Sequence, residues 1–251
     1  MDGVLSQEEI NALLNNNDAA DSGDEILTES EKDAIGEIAN ISMGTAATTL
    51  FSLVNRRVEI STPVVSFSNW DKIVDEYEKP CVFIKIGYTQ GLNGSNILVL
   101  KEKDVKIITD LMMGGDGTNI NGEIGELHLS AISEAMNQMM GSSATSLSSM
   151  LNRTIDISPP IAEVVDLKNT LNEGEIDSFL SEEFVKISFR MEIGDLVDSE
   201  IMQLYPPTFV KDMCKGVSQN MELDTQSVTE DVPQSSNTAT QAAPIQQPQD
   251  G

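Results

Sequence analysis

Two sets of polar residues stand out because they recur at one spacing. Asp33, Glu37 and Asn40 are followed by Gly44, and Ser130, Glu134 and Asn137 are followed by Gly141. In both sets a proline follows the asparagine after 22 intervening residues, as Pro63 and as Pro160. On a helix, with Asp33 as the origin, Glu37 falls at roughly 40°, Asn40 at roughly −20° and Gly44 at roughly 20°. The opposite arc carries Ile35, Ile38, Ala39, Met43, Ala46, Leu50 and Leu53. The pattern predicts a helix with one apolar side against a core and a carboxylate–amide stripe on the other. Asparagine gains nothing from a mid-helix position in water. A stripe of carboxylate and amide ending on a glycine is suited to meeting another surface, with the glycine clearing room for it.

The stripes belong to a larger repeat. Residues 34–65 align with residues 131–162 at a constant offset of 97, without a gap, and 15 of the 32 positions are identical. Duplication explains the identity of the copies. It does not explain why the polar positions stayed while Ile38/Ala135 and Ile41/Gln138 drifted. A weaker echo pairs FIKI (83–86) with FVKI (184–187). The core is expected to be two copies of one unit, repeat 1 over about 28–117 and repeat 2 over about 122–216, related by an approximate two-fold axis.

Each unit reads as a long helix followed by strands. Thr28 and Glu31 offer a capping box for a first helix running to about Leu53. Strands are predicted at 58–67, 81–89 and 95–102, and a helix at 104–113 closes the unit. The second unit gives a helix at 124–151, strands near 154–165, 184–193 and 197–205, and a helix near 207–216. Long helices with hairpin-like strand pairs predict an α+β fold, the helices packed on a largely antiparallel sheet.

The remaining residues bound the function. Acidic residues outnumber basic ones 41 to 15, for a net charge of −26, which argues against a nucleic-acid partner. His128 is the one histidine, so His-based metal sites and catalytic triads are disfavoured, and no metal-ligating spacing is present. Cys81 and Cys214 suggest small buried groups in a reducing cytoplasm. No transmembrane segment is read in the chain. GGDGTNING (114–122) reads as the joint between the units. Residues 1–14 contain a short amphipathic helix with Ile10, Leu13 and Leu14 on one stripe, suited to a partner's groove. Residues 15–26 read as a flexible linker, 27–216 as the core, and 217–251 as a disordered linker or tail.

The doubled Asp/Ser-x3-Glu-x2-Asn-x22-Pro spacing resembles the signature of the CheC/CheX/FliY phosphatases, over roughly 28–216. LSQEEINALL also resembles the N-terminal CheY-binding peptide of flagellar switch proteins, an arrangement similar to the FliY branch. The resemblance implies a CheC-like pseudo-two-fold fold. It also implies hydrolysis of the aspartyl phosphate of the phosphorylated chemotaxis regulator CheY. Glu37 and Glu134 would pair with a lysine of the receiver domain, and Asn40 and Asn137 would orient the attacking water. Asp33 and Ser130 would support the stripe, and Pro63 and Pro160 the start of the following strand. No cofactor of its own is expected, the Mg²⁺ sitting on the partner. The implied setting is the cytoplasmic face of the flagellar basal body, with FliM, FliG and FliN as neighbours. That branch continues into a FliN-like domain, expected to be missing here, where the sequence ends inside what looks like the linker. The alternative is a non-catalytic switch scaffold that binds phosphorylated CheY.

Overall fold

The computed structural model describes residues 26–77, 80–167 and 173–228. Residues 1–25, with the predicted peptide Ile10, Leu13 and Leu14 and nearly all of the predicted linker, lie outside the described residues, as do 229–251.

Helix α1 (Glu29–Val54) starts where its capping box predicts. The Thr28 hydroxyl accepts from the Glu31 N–H at 3.2 Å, and the Glu31 carboxylate accepts from the Thr28 N–H at 2.9 Å. It stops at Asn55, which turns left-handed at φ 49°. The second long helix, here α4 (Glu126–Leu151), stops in the same way at Asn152, φ 48°. Asparagine tolerates this conformation better than other non-glycine residues, so an Asn in both repeats sets both helix ends. At the start of α4, His128 is a cap: its Nδ1 accepts from the Gly125 N–H at 3.2 Å.

The eight strands form one sheet in which every pairing is antiparallel. At one edge β1 (Val58–Ile60) and β2 (Val64–Ser68) both lie on β7 (Phe184–Ile193). The order continues through β8 (Val197–Tyr205), β4 (Gly94–Lys101) and β3 (Cys81–Gln90). At the other edge β5 (Asp156–Ile157) and β6 (Ile161–Val165) lie on β3. The units therefore exchange strands: the first strands of each repeat lie on the hairpin of the other. The stretches 58–67 and 154–165, predicted as continuous strands, are each broken before the proline, which has no N–H to give a ladder.

The pairing also corrects the weaker echo. Ser66 pairs with Lys186, and its counterpart Glu163 pairs with Phe83. The structural counterpart of Phe83 is thus Lys186, two residues beyond Phe184. By the same register Ile84 corresponds to Ile187, and their partners Leu98 and Gln203 face each other across β4 and β8. The internal axis passes through that pair. Above it Gln203 Nε2 lies 3.2 Å from Met43 Sδ and 3.9 Å from Met140 Sδ, equivalent methionines of the two repeats.

The helices α1, α4, α3 (Glu102–Met112) and α5 (Pro207–Val228) cover one face of the sheet. Val82, Ile84 and Ile86 of β3 point into this layer, while Cys81 and Phe83 point to the other face. There a second cluster gathers Trp70, Ile73, Phe83, Leu180 and Phe184. Its cover comes from α2 (Trp70–Glu76) and a 3₁₀ turn at Ser178–Ser181, elements too short for periodicity to reveal. Helix α5 runs twelve residues past its predicted end at 216, into the predicted tail. The added stretch VSQNMELDTQSV is polar but contains no proline or glycine, and its Gln, Met, Glu and Leu favour helix.

α1 and α4 pack against each other. Thr49 Oγ1 donates to Ser142 Oγ, and Ser146 Oγ donates to Thr45 Oγ1, both at 2.9 Å. These two bonds are images of each other under the repeat and show that the helices run antiparallel where they meet.

Candidate functional site

Both stripes face outward. Glu37, Glu134, Asp33 and Ser130 are exposed, and Asn40 and Asn137 are half-buried. The opposite arc of α1, with Ile35, Ile38, Met43, Ala46 and Leu50, is buried, as are its counterparts on α4. Because the helices are antiparallel, the two asparagines lie toward opposite ends of the pair, separated by roughly 21 Å along the helix axes at 1.5 Å per residue.

At the first stripe the structure adds a second wall. Asp33, Glu37 and Asn40 on the helix face Thr62, Pro63 and Val65 across a groove of about 340 Å³. Pro63 both precedes β2 and lines the groove, while Pro160 is buried. Gly44 and Gly141 leave open space: a Cβ on either would meet nothing within 4 Å. The protein's own packing therefore does not demand a glycine at either place.

Ser61 and Ser158, two residues before these prolines, hold the strand-side wall. The Ser61 N–H donates to the Arg190 carbonyl and Ser61 Oγ accepts from the Arg190 N–H, both at 2.9 Å. The Ser158 N–H donates to the Gly87 carbonyl at 2.8 Å, and Ser158 Oγ accepts from the Gly87 N–H at 3.2 Å. Each serine thus continues the ladder across the gap between short strands. Sequence reasoning gave them no role, although both belong to the identical positions of the repeat.

The two sites differ in detail. Glu134 Oε1 accepts from Gln138 Nε2 of its own helix at 2.6 Å. The counterpart of Gln138 is Ile41, which is exposed, and among the described residues no hydrogen bond or ion pair engages Glu37. Lys32, on the rim, is paired with Glu29 and lies 5.3 Å from the centre of the Phe67 ring. No basic side chain of the described residues occupies Glu37 or Glu134, so both carboxylates are available to a cation from outside.

Other candidates are absorbed by the fold. Cys81 and Cys214 are buried, and burial pushes both thiols up to about 11, which disfavours the nucleophilic thiolate. The 114–122 loop joins α3 to α4, pinned by the Asp110 carboxylate, which accepts from the Gly117 N–H at 2.8 Å. The arrangement can dock a cation and aim an amide. Asp33 is replaced by Ser130 in the second copy, so the features common to both sites are the Glu–Asn pair and the strand-side serine.

The CheC-like family matches residues 31–67 and 127–164, the two helix–proline segments. The chain is 48% identical over 218 residues to the flagellar motor switch phosphatase FliY of Bacillus subtilis, covering 85% of this chain and 57% of that protein. It is 24% identical over 143 residues to the CheY-P phosphatase CheC of the same organism, covering 55% of this chain and 67% of that one. The crystal structure of Thermotoga maritima FliY superposes with a TM-score of 0.71 at 42% identity, over 78% of this chain and 99% of that one.

Proposed function

The chain belongs to the CheC-like family, in its FliY branch, and from that premise we propose that its core hydrolyses the aspartyl phosphate of phosphorylated CheY. The observation that carries the reading is the duplicated Glu–Asn stripe, facing outward with the asparagines half-buried and the carboxylates unclaimed by any basic side chain of the described residues.

Phosphoryl transfer needs positioning and charge stabilisation more than a strong base. A carboxamide suits this, because it can donate to and accept from one water at once. Glu37 or Glu134 would receive the lysine ammonium of the receiver domain and fix its orientation. Asn40 or Asn137, one turn further along the helix, would then hold a water in line with the phosphorus. The water's oxygen forms the new P–O bond, the bond to the aspartyl oxygen breaks, and inorganic phosphate and the free carboxylate leave. The receiver brings its own Mg²⁺, and this chain needs no cofactor for its part. Ser61 and Ser158 are positioning residues that fix the strand-side wall. In the full reading the protein works at the cytoplasmic face of the flagellar motor beside FliM, FliG and FliN, with Ile10, Leu13 and Leu14 tethering CheY and raising its local concentration.

The lifetime of phosphorylated CheY tests this. Asn40→Ala and Asn137→Ala should each leave the other site's share. The double variant should lose on the order of 10²-fold, the scale of lost water positioning. A double variant that dephosphorylates as fast as wild type defeats the reading. Retained binding with no acceleration by the wild type would establish the scaffold alternative instead.

A further inference from the structure

The face of the sheet away from the long helices carries a groove of about 530 Å³ over β2, β7 and β8. Val64, Lys186, Ser188, Arg190, Asp198 and Glu200 are among its walls. The charges lining it are settled within the chain, with one exception. Lys186 pairs with Glu76, and Arg190 holds Asp198 through two bonds of 2.8 Å and Glu192 at 2.7 Å. Glu200 is half-buried, and among the described residues no hydrogen bond or ion pair engages it. Lys101 lines an adjoining groove that shares Glu200 as a wall, but it sits 6.0 Å from the centre of the Tyr77 ring and forms no ion pair with Glu200.

The internal two-fold shows what the equivalent place holds when it is filled. In the register that matches Ile187 with Ile84 and Gln203 with Leu98, Ser188 corresponds to Lys85 and Glu200 to Ser95. There Lys85 Nζ lies 2.8 Å from Asp177 Oδ2, and Ser95 Oγ donates to the same oxygen at 2.7 Å. Asp177 belongs to residues 166–183, which join β6 to β7 and fold over the sheet. The shorter joint of the first repeat, 69–80, contributes no described residue to the groove. The roles are exchanged between the repeats. In the second, the sheet supplies a long cationic side chain and a covering turn supplies the carboxylate. In the first, the sheet supplies the carboxylate, Glu200, and Ser188 is short where Lys85 is long. The space that a lysine chain fills in one repeat is part of an open groove in the other.

We propose that this groove docks a segment of a partner protein that presents a basic side chain, lysine or arginine, to Glu200. The cationic head makes a charge-assisted hydrogen bond to the half-buried carboxylate. The aliphatic stem lies over Ser188 and against Val64, its cross-strand neighbour, which is 65% exposed. The occupant is a polypeptide because the cover at the equivalent place is itself a chain segment, and the groove holds far more than an ammonium group. Val64 and Val65 point to opposite sides of β2, so the docked segment lies across that strand from the first stripe.

NMR titration of the isotope-labelled full chain with the peptide acetyl-Gly-Lys-Gly-amide tests this through the amide signals of Val64, Ser188 and Glu200. Saturable shifts are expected. Glu200→Gln should weaken binding about tenfold, the scale of one hydrogen bond between charged groups. Glu163→Gln, which removes an exposed acid on the opposite edge strand, should change it less than about twofold. The norleucine analogue of the peptide should leave the three signals unmoved. Ser188→Lys should fill the groove from within and abolish the shifts, with the melting temperature confirming that each variant folds. Equal affinity of Glu200→Gln and wild type, equal shifts with the norleucine peptide, or no shift at all overturns the proposal. Binding of n-butylamine as tight as that of the peptide makes the groove a site for free amines and overturns the polypeptide occupant. None of these outcomes touches the phosphatase reading, which the lifetime of phosphorylated CheY tests separately.

Discussion

Removing the Ser158 hydroxyl by Ser158→Ala isolates the contribution of the strand-side clamp. The main-chain bond from Ser158 N–H to the Gly87 carbonyl survives, and only the bond from the Gly87 N–H to Ser158 Oγ is lost. That donor is half-buried, so water replaces the hydroxyl poorly and the donor is left close to unsatisfied, at a cost of about 1–2 kcal/mol. In Ser61→Ala the orphaned donor is the N–H of exposed Arg190, which water can reach, and the cost is about 0.5–1 kcal/mol. Distance alone would reverse this order, since the Ser61 bond is the shorter, 2.9 Å against 3.2 Å. Burial decides it, because desolvation of an unpaired donor outweighs a few tenths of an ångström. At about 2–4 °C per kcal/mol for a chain of this size, Ser158→Ala should lower the melting temperature by about 2–8 °C and Ser61→Ala by about half as much, about 1–4 °C. The sites share no partner, so the double variant should show the sum. Thermal melts followed by circular dichroism read this directly. Equal or negligible shifts, or a larger loss for Ser61→Ala, would refute the reasoning.

Two further expectations follow from buried groups. Burial pushes the Asp104 carboxyl above the usual carboxylate range, against the pull of neighbouring Ser199, Lys101 and Lys103, and Asp104 Oδ2 has no hydrogen-bond partner among the described residues. A raised folded-state pKa means the folded form holds the proton more tightly, so this group opposes folding at neutral pH and does so less as pH falls through that pKa. Asp104→Asn should therefore raise the melting temperature at pH 7, with the gain shrinking on acidification; a variant that melts lower at pH 7 refutes it. For Cys81 and Cys214, both thiols raised to about 11, iodoacetamide at pH 8 should label the unfolded chain rapidly and the native chain hardly at all, as read by mass spectrometry.

The features that sequence disclosed are local ones. Thr28 and Glu31 sit three apart, and the capping box they announce is present. The stripe Asp33–Glu37–Asn40–Gly44 runs over about three helical turns, so its outward face could be read from spacing alone. The two-unit architecture followed from the repeat at an offset of 97, and the antiparallel strands from the hairpin-like strand pairs within each unit. What escaped depends on distant pairing. Two copies with the same apolar pattern cannot reveal whether β1 and β2 lie on their own hairpin or on the other one. The FIKI–FVKI match found the correct face of the sheet but missed its register by two residues, because a period-2 pattern is unchanged by a shift of two. Helix α2 is only seven residues long and shows no sustained period. The strand-side wall of the groove is brought to α1 by chain reversal, and its only sequence trace is the repeated Ile-Ser-x-Pro of 60–63 and 157–160.

The crossing-over of the edge strands has an evolutionary corollary. An ancestral single unit could have reached this topology by reciprocal association of two molecules, each lending its leading strands to its mate. Fusion then turned a concentration-dependent embrace into a permanent one. It also freed the halves to diverge without either losing the neighbour that completes it.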